Sequence, residues 1–152
     1  MSIETYARAK QEVPMFANVA PKRLKLLALA SSCVLYGAGE ELCSQGEEGD
    51  AAYILLEGKA DVTIDSGKGV ATVAQLKAND VFGELAILRD MPRNATGTAV
   101  TDVRALRIGK QDFLNLLKEF PDVSIEISRT LAERLARTSA ELAETRVAED
   151  SD

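Results

Sequence analysis

The sequence predicts an α+β fold in which helical segments at both ends of the chain flank a central region of short strands. Residues 2–30 and the residues after Gly109 have apolar positions at helical spacing, whereas glycine and turn residues recur every several positions from Cys33 to Ile108. Several short strands in succession are typical of a sandwich or a roll. The chain has 152 residues, an ordinary size for one domain with its own core.

The N-terminal part is predicted to be helical with one interruption. Pro14 breaks the first segment, and Pro21 restarts a second one in which Leu24 and Leu27 share a face.

The central part contains recognisable strand and hairpin signals. Residues 60–64 alternate apolar with polar side chains, and residues 65–69 have the composition of a hairpin connection to a strand over 70–76. Leu106 and Ile108, with one polar residue between them, indicate a last strand.

Two helices are predicted after the last strand. The first ends at Pro121, and Asp122 is a candidate cap for the second. The second helix has apolar residues near heptad spacing at Val123, Ile127, Leu131, Leu135 and Leu142. It is interpreted as a packing helix, a lid or a dimer seam, and these roles are compatible. Thr138 and Thr145 weaken the dimer interpretation.

Composition argues against several function classes. The net charge of −6 disfavours a nucleic-acid partner, which would need clustered Lys and Arg. The sequence has no histidine, and Cys33 and Cys43 are its two cysteines. We therefore expect no metal site, no catalytic residues and two buried reduced thiols. No segment has the length of a signal peptide or a membrane span, so we expect a cytoplasmic location and no membrane partner.

Residues 82–96, F-G-E-L-A-I-L-R-D-M-P-R-N-A-T, combine features of an anion site. Gly83 permits a close backbone approach, and a short helix beginning at Glu84 would direct free N–H groups at an oxyanion. The planar guanidinium of Arg93 can bond two phosphate oxygens at once. Glu84 can only accept hydrogen bonds and therefore suits a hydroxyl, such as a ribose 2′-OH. Alternatively, Glu84 and Arg93 form a structural ion pair.

This segment resembles the phosphate-binding cassette of cyclic nucleotide-binding domains, which occur in protein kinase A regulatory subunits, cyclic-nucleotide-gated channels and the catabolite activator protein. The resemblance covers residues 13–137. Asn79 replaces the usual glycine before an aspartate, but asparagine tolerates the left-handed conformation. Further matching segments, in the family's order and spacing, are Y-G-A-G-E-E-L from Tyr36, Q-G-E-E-G-D from Gln45, Y-I-L-L-E-G from Tyr53 and D-V-F from Asp80.

The resemblance implies a single domain over residues 1–152, built on an antiparallel β-roll that is jelly-roll-like. Its expected parts are N-terminal helices over 1–31, the roll over 32–108 with the cassette at 82–96, and C-terminal helices over 110–147.

The resemblance also implies the ligand-binding residues, which are Phe82, Gly83, Glu84, Leu85, Ala86, Arg93, Asn94 and Ala95. Phe82 would line the site with its backbone while its ring fills the roll. Asn94 either influences purine choice or stabilises a turn. Arg134 or Arg137 would stack on the purine as a cap, or remain solvated. Asp50 either orients Arg93 or forms a turn, and the turn is favoured.

The implied function is a non-enzymatic sensor of a 3′,5′-cyclic nucleotide, cAMP or cGMP with cAMP preferred, that needs no cofactor. Binding would move the C-terminal helix and signal to an effector protein that the sequence does not identify. The alternative is a protein-interaction module of the same fold with an unused pocket. A transcription factor is disfavoured because only about fifteen mostly polar residues follow Arg137. We also expect that a chain cut after Phe120 keeps a folded roll.

Overall fold

Two four-stranded antiparallel sheets form the central part of the chain in the computed structural model, which describes residues 31–150. The N-terminal helices expected over 1–31 lie outside the described residues, apart from Ser31, which begins the first strand. The strands are β1 Ser31–Tyr36, β2 Glu41–Cys43, β3 Ala51–Glu57, β4 Ala60–Asp65, β5 Val70–Leu76, β6 Val81–Phe82, β7 Thr96–Ala99 and β8 Val103–Gly109. The helices are α1 Glu84–Arg89, α2 Lys110–Glu119 and α3 Pro121–Asp150.

The strand order shows the topology of a roll. One sheet has the order β1-β8-β3-β6 and the other β2-β7-β4-β5, and all pairs are antiparallel. In the first sheet, Tyr53 lies opposite both Arg107 and Phe82. The register therefore places the start of the cassette directly beside the middle of β3. The antiparallel roll with C-terminal helices confirms the predicted fold class.

The core has two layers that share β3. Leu55 and Val103 face the second sheet, where they pack with Ala60 and Leu76. The opposite face of the first sheet packs against the helices, and this layer contains Ile54, Leu106, Ile108, Phe113, Val123 and Ile127. Because β3 is covered on both faces, its residues form a continuous apolar run without alternation. The beginning of α3 is therefore part of the core.

Several local expectations can be compared directly with the backbone. Asn79 has φ 77°, as expected for a residue that replaces glycine in a left-handed turn. Pro121 begins α3, so Asp122 lies in the first helical turn and is not the cap. Cys43 is buried and burial raises the pKa of its thiol, but Cys33 is only half-buried, contrary to expectation. Cys33 lies on β1, at the edge of its sheet, where neighbours cover less of the side chain.

Within residues 31–150, no helix is both long and apolar enough to cross a membrane. The same part of the chain contains no cluster of three or more metal-ligating side chains.

Candidate ligand-binding site

A cavity of about 480 Å³ lies between the second sheet, the cassette and α3. The eight residues predicted for the ligand site all line it, together with Arg134 and Arg137 from α3. The apolar part of the wall comes from β4 and β5 and consists of Val62, Ile64, Val73, Ala74 and Leu76. The cavity thus has one wall of backbone and charged groups and one apolar wall.

The cassette turns sharply at Gly83, which has φ 86° and immediately precedes α1. A Cβ atom at this position would lie 2.6 Å from Nη1 of Arg93 and 3.2 Å from the carbonyl oxygen of Ala51. Glycine is therefore required both by the left-handed backbone and by the close approach of the arginine. Gly49 makes a similar approach to α1, since a Cβ there would lie 2.5 Å from Cβ of Ala86.

Arg93 is buried, with 5% of its surface exposed, and its guanidinium is held by several acceptors. Nη2 donates to the carbonyl oxygen of Ala51 at 2.8 Å and to Oδ1 of Asp50 at 3.2 Å, and Nη1 donates to the carbonyl oxygen of Gly83 at 3.4 Å. The guanidinium carbon lies 5.7 Å from the centre of the Tyr53 ring, a distance suited to a cation–π contact. These contacts fix the orientation of the positive charge at the cavity.

Asp50 bridges two arginines, because Arg107 donates to its Oδ2 at 3.1 Å while Arg93 bonds Oδ1. Partial burial acts to raise the pKa of Asp50, but the hydrogen bond from Arg93 and the charge of Arg107 outweigh it and hold the pKa below its usual value. The sequence favoured a turn-forming role for Asp50; the structure instead shows the ion pair with Arg93, because the β2–β3 loop runs directly beside the guanidinium.

Glu84 is 3% exposed and forms its ion pair with Arg134 on α3, with Nη1 and Oε1 separated by 3.0 Å. The alternative of an ion pair with Arg93 does not form, and that arginine is instead paired with Asp50. Burial raises the pKa of Glu84, although the charges of Arg134 and Arg93 act in the opposite direction. The buried carboxylate of Glu84, at the N-terminus of α1, is thus linked to α3 by an ion pair.

One face of α3 covers the cavity. Arg134, Arg137, Thr138 and Glu141 all line it, and their spacing places them on a single helical stripe. Thr138 and Glu141 were not among the predicted site residues. The spacing from Arg134 could have identified them, but only once the facing side of α3 was known.

Phe82 and Asn94 occupy different positions in the wall. The ring of Phe82 packs in the roll so close to Gly97 that a Cβ atom on this glycine would lie 2.6 Å from Cε1 of the ring. Phe82 also lines the cavity. Asn94 is exposed at the cavity edge between the buried residues Arg93 and Ala95.

A β-roll with a buried arginine, a buried carboxylate and a covering helix around one cavity defines a small-ligand-binding domain. The chain belongs to the cyclic nucleotide-binding domain family, whose model matches residues 33–120.

Two known proteins and one solved structure show what this chain is similar to. It is 36% identical over 118 residues to a cAMP-dependent protein kinase regulatory subunit of Aspergillus niger, covering 78% of this chain and 28% of the relative. It is 30% identical over 133 residues to a CRP-like cAMP-activated global transcriptional regulator of Mycobacterium tuberculosis, covering 86% of this chain and 58% of the relative. Among solved structures, the regulatory domain of Toxoplasma gondii PKA with cAMP has a TM-score of 0.75 at 26% identity, covering 86% of this chain and 49% of the other. The chain thus spans only part of each relative's length.

Proposed function

We propose that this chain is a regulatory module that binds a 3′,5′-cyclic nucleotide, with cAMP preferred, and acts through binding and not through catalysis. The observation that carries the proposal is the pair of buried charges, Arg93 and Glu84, that line the same cavity. The Aspergillus niger and Toxoplasma gondii proteins are described as cAMP-dependent and cAMP-bound, which supports this choice of ligand.

Arg93 is the proposed phosphate ligand. Its bonds to Asp50, Ala51 and Gly83 use some of its N–H groups, and the others remain for an anion in the cavity. Because Asp50 and two carbonyls already hold the guanidinium, little side-chain entropy is lost when phosphate binds. A charge-assisted, bidentate contact in a partly desolvated site is among the stronger hydrogen-bonding arrangements.

Glu84 is the proposed ribose ligand. Its bond to Arg134 uses Oε1, and a carboxylate has further acceptor positions for a 2′-hydroxyl. The backbone at Gly83, Leu85 and Ala86 would contact the ribose phosphate between the two charged side chains.

The purine is proposed to lie against Val62, Ile64 and Val73, under the stripe of α3 that begins at Arg134. Stacking of Arg134 or Arg137 on the base stays a prediction; in this structure the guanidinium of Arg134 is bonded to Glu84 and to Val81. Asn94 offers both a donor and an acceptor at the cavity edge, so we expect only a modest preference for cAMP over cGMP.

We propose that ligand binding is signalled through α3, because a ligand that contacts both the cassette and the α3 stripe would favour the docked arrangement of this helix. The effector protein, the cytoplasmic location and the absence of a nucleic-acid partner remain predictions. The alternative, an interaction module with an unused pocket, is weaker because it gives no reason to bury Glu84 beside a cavity at an energetic cost.

Calorimetric titration with cAMP, cGMP and 5′-AMP tests the proposal. We expect cAMP to bind with micromolar affinity or better, and Arg93→Ala to weaken binding by about 2 kcal/mol or more, since a charge-assisted contact is lost. Arg89→Ala is the matched control, because this exposed arginine lies on the same cassette but does not line the cavity. Equal cAMP affinity in the wild type and Arg93→Ala would refute the assignment of the phosphate site.

A further inference from the structure

We propose that Arg107 is a positioning residue for the phosphate of the ligand: by holding one oxygen of Asp50, it limits this carboxylate to a single bond with Arg93 and leaves the charge of Arg93 available in the cavity. The inference rests on the proposed function and extends it to a residue of β8. Among the described residues that line the cavity, neither Arg107 nor Asp50 occurs, so Arg107 would act on the ligand through Asp50 and Arg93.

Asp50 lies between two guanidinium groups and gives one oxygen to each. Nη2 of Arg107 donates to Oδ2 at 3.1 Å, and Nη2 of Arg93 donates to Oδ1 at 3.2 Å. The side chain of Asp50 is 63% exposed, so packing alone does not fix its rotamer. The two ion pairs fix it instead, one from β8 and one from the cassette.

Arg107 reaches Asp50 from inside the first sheet. It lies on β8, between β1 and β3, and its partner residue on β3 is Tyr53. Partial burial acts to lower the pKa of Arg107, but hydrogen bonding with Tyr53 and the charge of Asp50 outweigh it and raise the pKa. The ring of Tyr53 also lies under the guanidinium of Arg93. Arg107 therefore approaches Asp50 from a strand paired on both sides and stays charged.

Arg93 has a limited set of N–H donors for a phosphate. Bonds to Asp50, Ala51 and Gly83 already use part of this set. Without Arg107, Oδ2 of Asp50 would be free to turn to Arg93 as well, in the bidentate arrangement that carboxylates and guanidinium groups favour. That arrangement would take a further donor away from the phosphate.

The net charge of the cluster depends on Arg107 in the same direction. Asp50 and Arg93 alone would form a neutral pair, whereas Asp50 with both arginines carries a net positive charge. A positive cluster attracts an anion more strongly than a neutral pair does, and water screens the buried Arg93 little. Arg107 thus offsets the charge of the carboxylate that orients Arg93.

The nearest other cation does not take this role. The backbone N–H of Lys110 donates to the carbonyl oxygen of Asp50 at 2.8 Å, so this lysine lies beside the same loop. Its ammonium, however, is paired with Asp90 at 3.1 Å. Within residues 31–150, the ion pairs of Asp50 are those with Arg93 and Arg107.

The test is calorimetric titration of the full chain with cAMP and with adenosine, the same nucleoside without a phosphate. Arg107→Met removes the charge and keeps an apolar stem. We expect it to weaken cAMP binding about three- to tenfold, the usual contribution of one hydrogen bond, and to leave adenosine binding unchanged. A general disturbance of the roll would instead weaken both ligands.

A double-mutant cycle with Asp50→Asn tests whether the effect passes through the carboxylate. In the Asp50→Asn background, Arg107→Met should change cAMP affinity by less than about twofold. Arg107→Lys keeps the charge and should recover part of the lost affinity. Arg104→Met is the matched control, because this arginine lies on the same strand without a described bond to Asp50, and it should keep both affinities. Arg107→Gln is the substitute if Arg107→Met does not fold.

The outcomes separate the two proposals. Wild-type cAMP affinity in Arg107→Met would overturn the positioning role and leave cyclic nucleotide binding intact. An equal loss for adenosine would also overturn it, and so would a loss of the same size in the Asp50→Asn background or in Arg104→Met. If adenosine binds too weakly to measure, the double-mutant cycle decides alone. A wild type that does not bind cAMP would overturn the proposed function and this inference together.

Discussion

At the scale of single residues, Glu84 is the side chain where binding and stability conflict. Burial raises the pKa of Glu84 in the folded protein. The protonated side chain therefore stabilises the fold below the ordinary pKa of 4.5, and this contribution is lost as the pH rises through the raised pKa. Burial of Glu84 thus acts against its ionised form. The proposed contact with a ribose hydroxyl gives a reason to keep it.

Glu84→Gln should accordingly stabilise the ligand-free protein by about 1 kcal/mol at neutral pH, since the amide needs no ionisation and Arg134 can reach water. The gain should disappear below about pH 4.5, where the wild-type side chain is also neutral. Thermal unfolding as a function of pH measures both the gain in stability at neutral pH and its disappearance at low pH. Glu133→Gln, at an exposed position on α3, is the control and should show no such gain. A Glu84→Gln protein that is less stable than the wild type at neutral pH would contradict the argument.

The sequence predicted which residues line the cavity better than it predicted their partners. Gly83 and Asn79 could be recognised because positive φ angles restrict the choice of residue, and both have them. The pairs Asp50–Arg93 and Glu84–Arg134 join residues 43 and 50 positions apart in the chain. No local pattern determines such pairs, because they depend on how the β2–β3 loop and α3 pack against the cassette.

At the scale of elements, α3 has two parts with different surroundings. Val123 and Ile127 are buried in the core, and Leu131 packs against it. Beyond Glu133 the helix contributes its stripe to the cavity and is otherwise exposed. A cut after Phe120 would therefore remove core residues, and losing large buried side chains costs about 2–5 kcal/mol each. The expectation that the roll stays folded after such a cut remains a prediction, and we expect the truncated chain to be less stable than the full chain.

Hydrogen exchange should distinguish these parts. We expect cAMP to slow hydrogen exchange of the amides from 134 to 145, whose surroundings include the cavity. Exchange in the segment from 123 to 131 should change little, because core packing already protects it. Peptides from β3 and β8 serve as internal references, since both strands are buried in the sheet. Protection spread evenly over both parts of α3 would mean that the whole helix docks on binding, contrary to this division.

The positions of β4 and β5 followed from the sequence pattern, but the pairing of the other strands did not. The hairpin β4–β5 was predictable because its turn residues are adjacent in sequence. The neighbours β1 and β8, or β2 and β7, are far apart in the chain, and the jelly-roll-like arrangement was supplied by the family resemblance.

At the scale of the whole molecule, the exposed face of α3 is the candidate contact surface of the expected homodimer. Leu135 and Leu142 are 68% and 51% exposed and lie one heptad apart. Thr138, which weakened the dimer interpretation, faces the cavity and so does not occupy a seam position. The small residues Ala132, three positions before Leu135, and Ser139, between the two leucines, lie on the same face and would allow a second helix to approach closely.

We therefore expect the full chain to form a dimer at tens of micromolar concentration, with two copies of α3 in contact through these leucines. Leu135→Glu should produce monomers, because two like charges would meet at the seam without solvent. Leu35→Glu introduces the same charge at a similarly exposed leucine on β1 and should leave the dimer intact. Sedimentation velocity distinguishes the two states. If Leu135→Glu sediments as the wild type does while Leu35→Glu dissociates, the contact lies on the first sheet and α3 is not the interface.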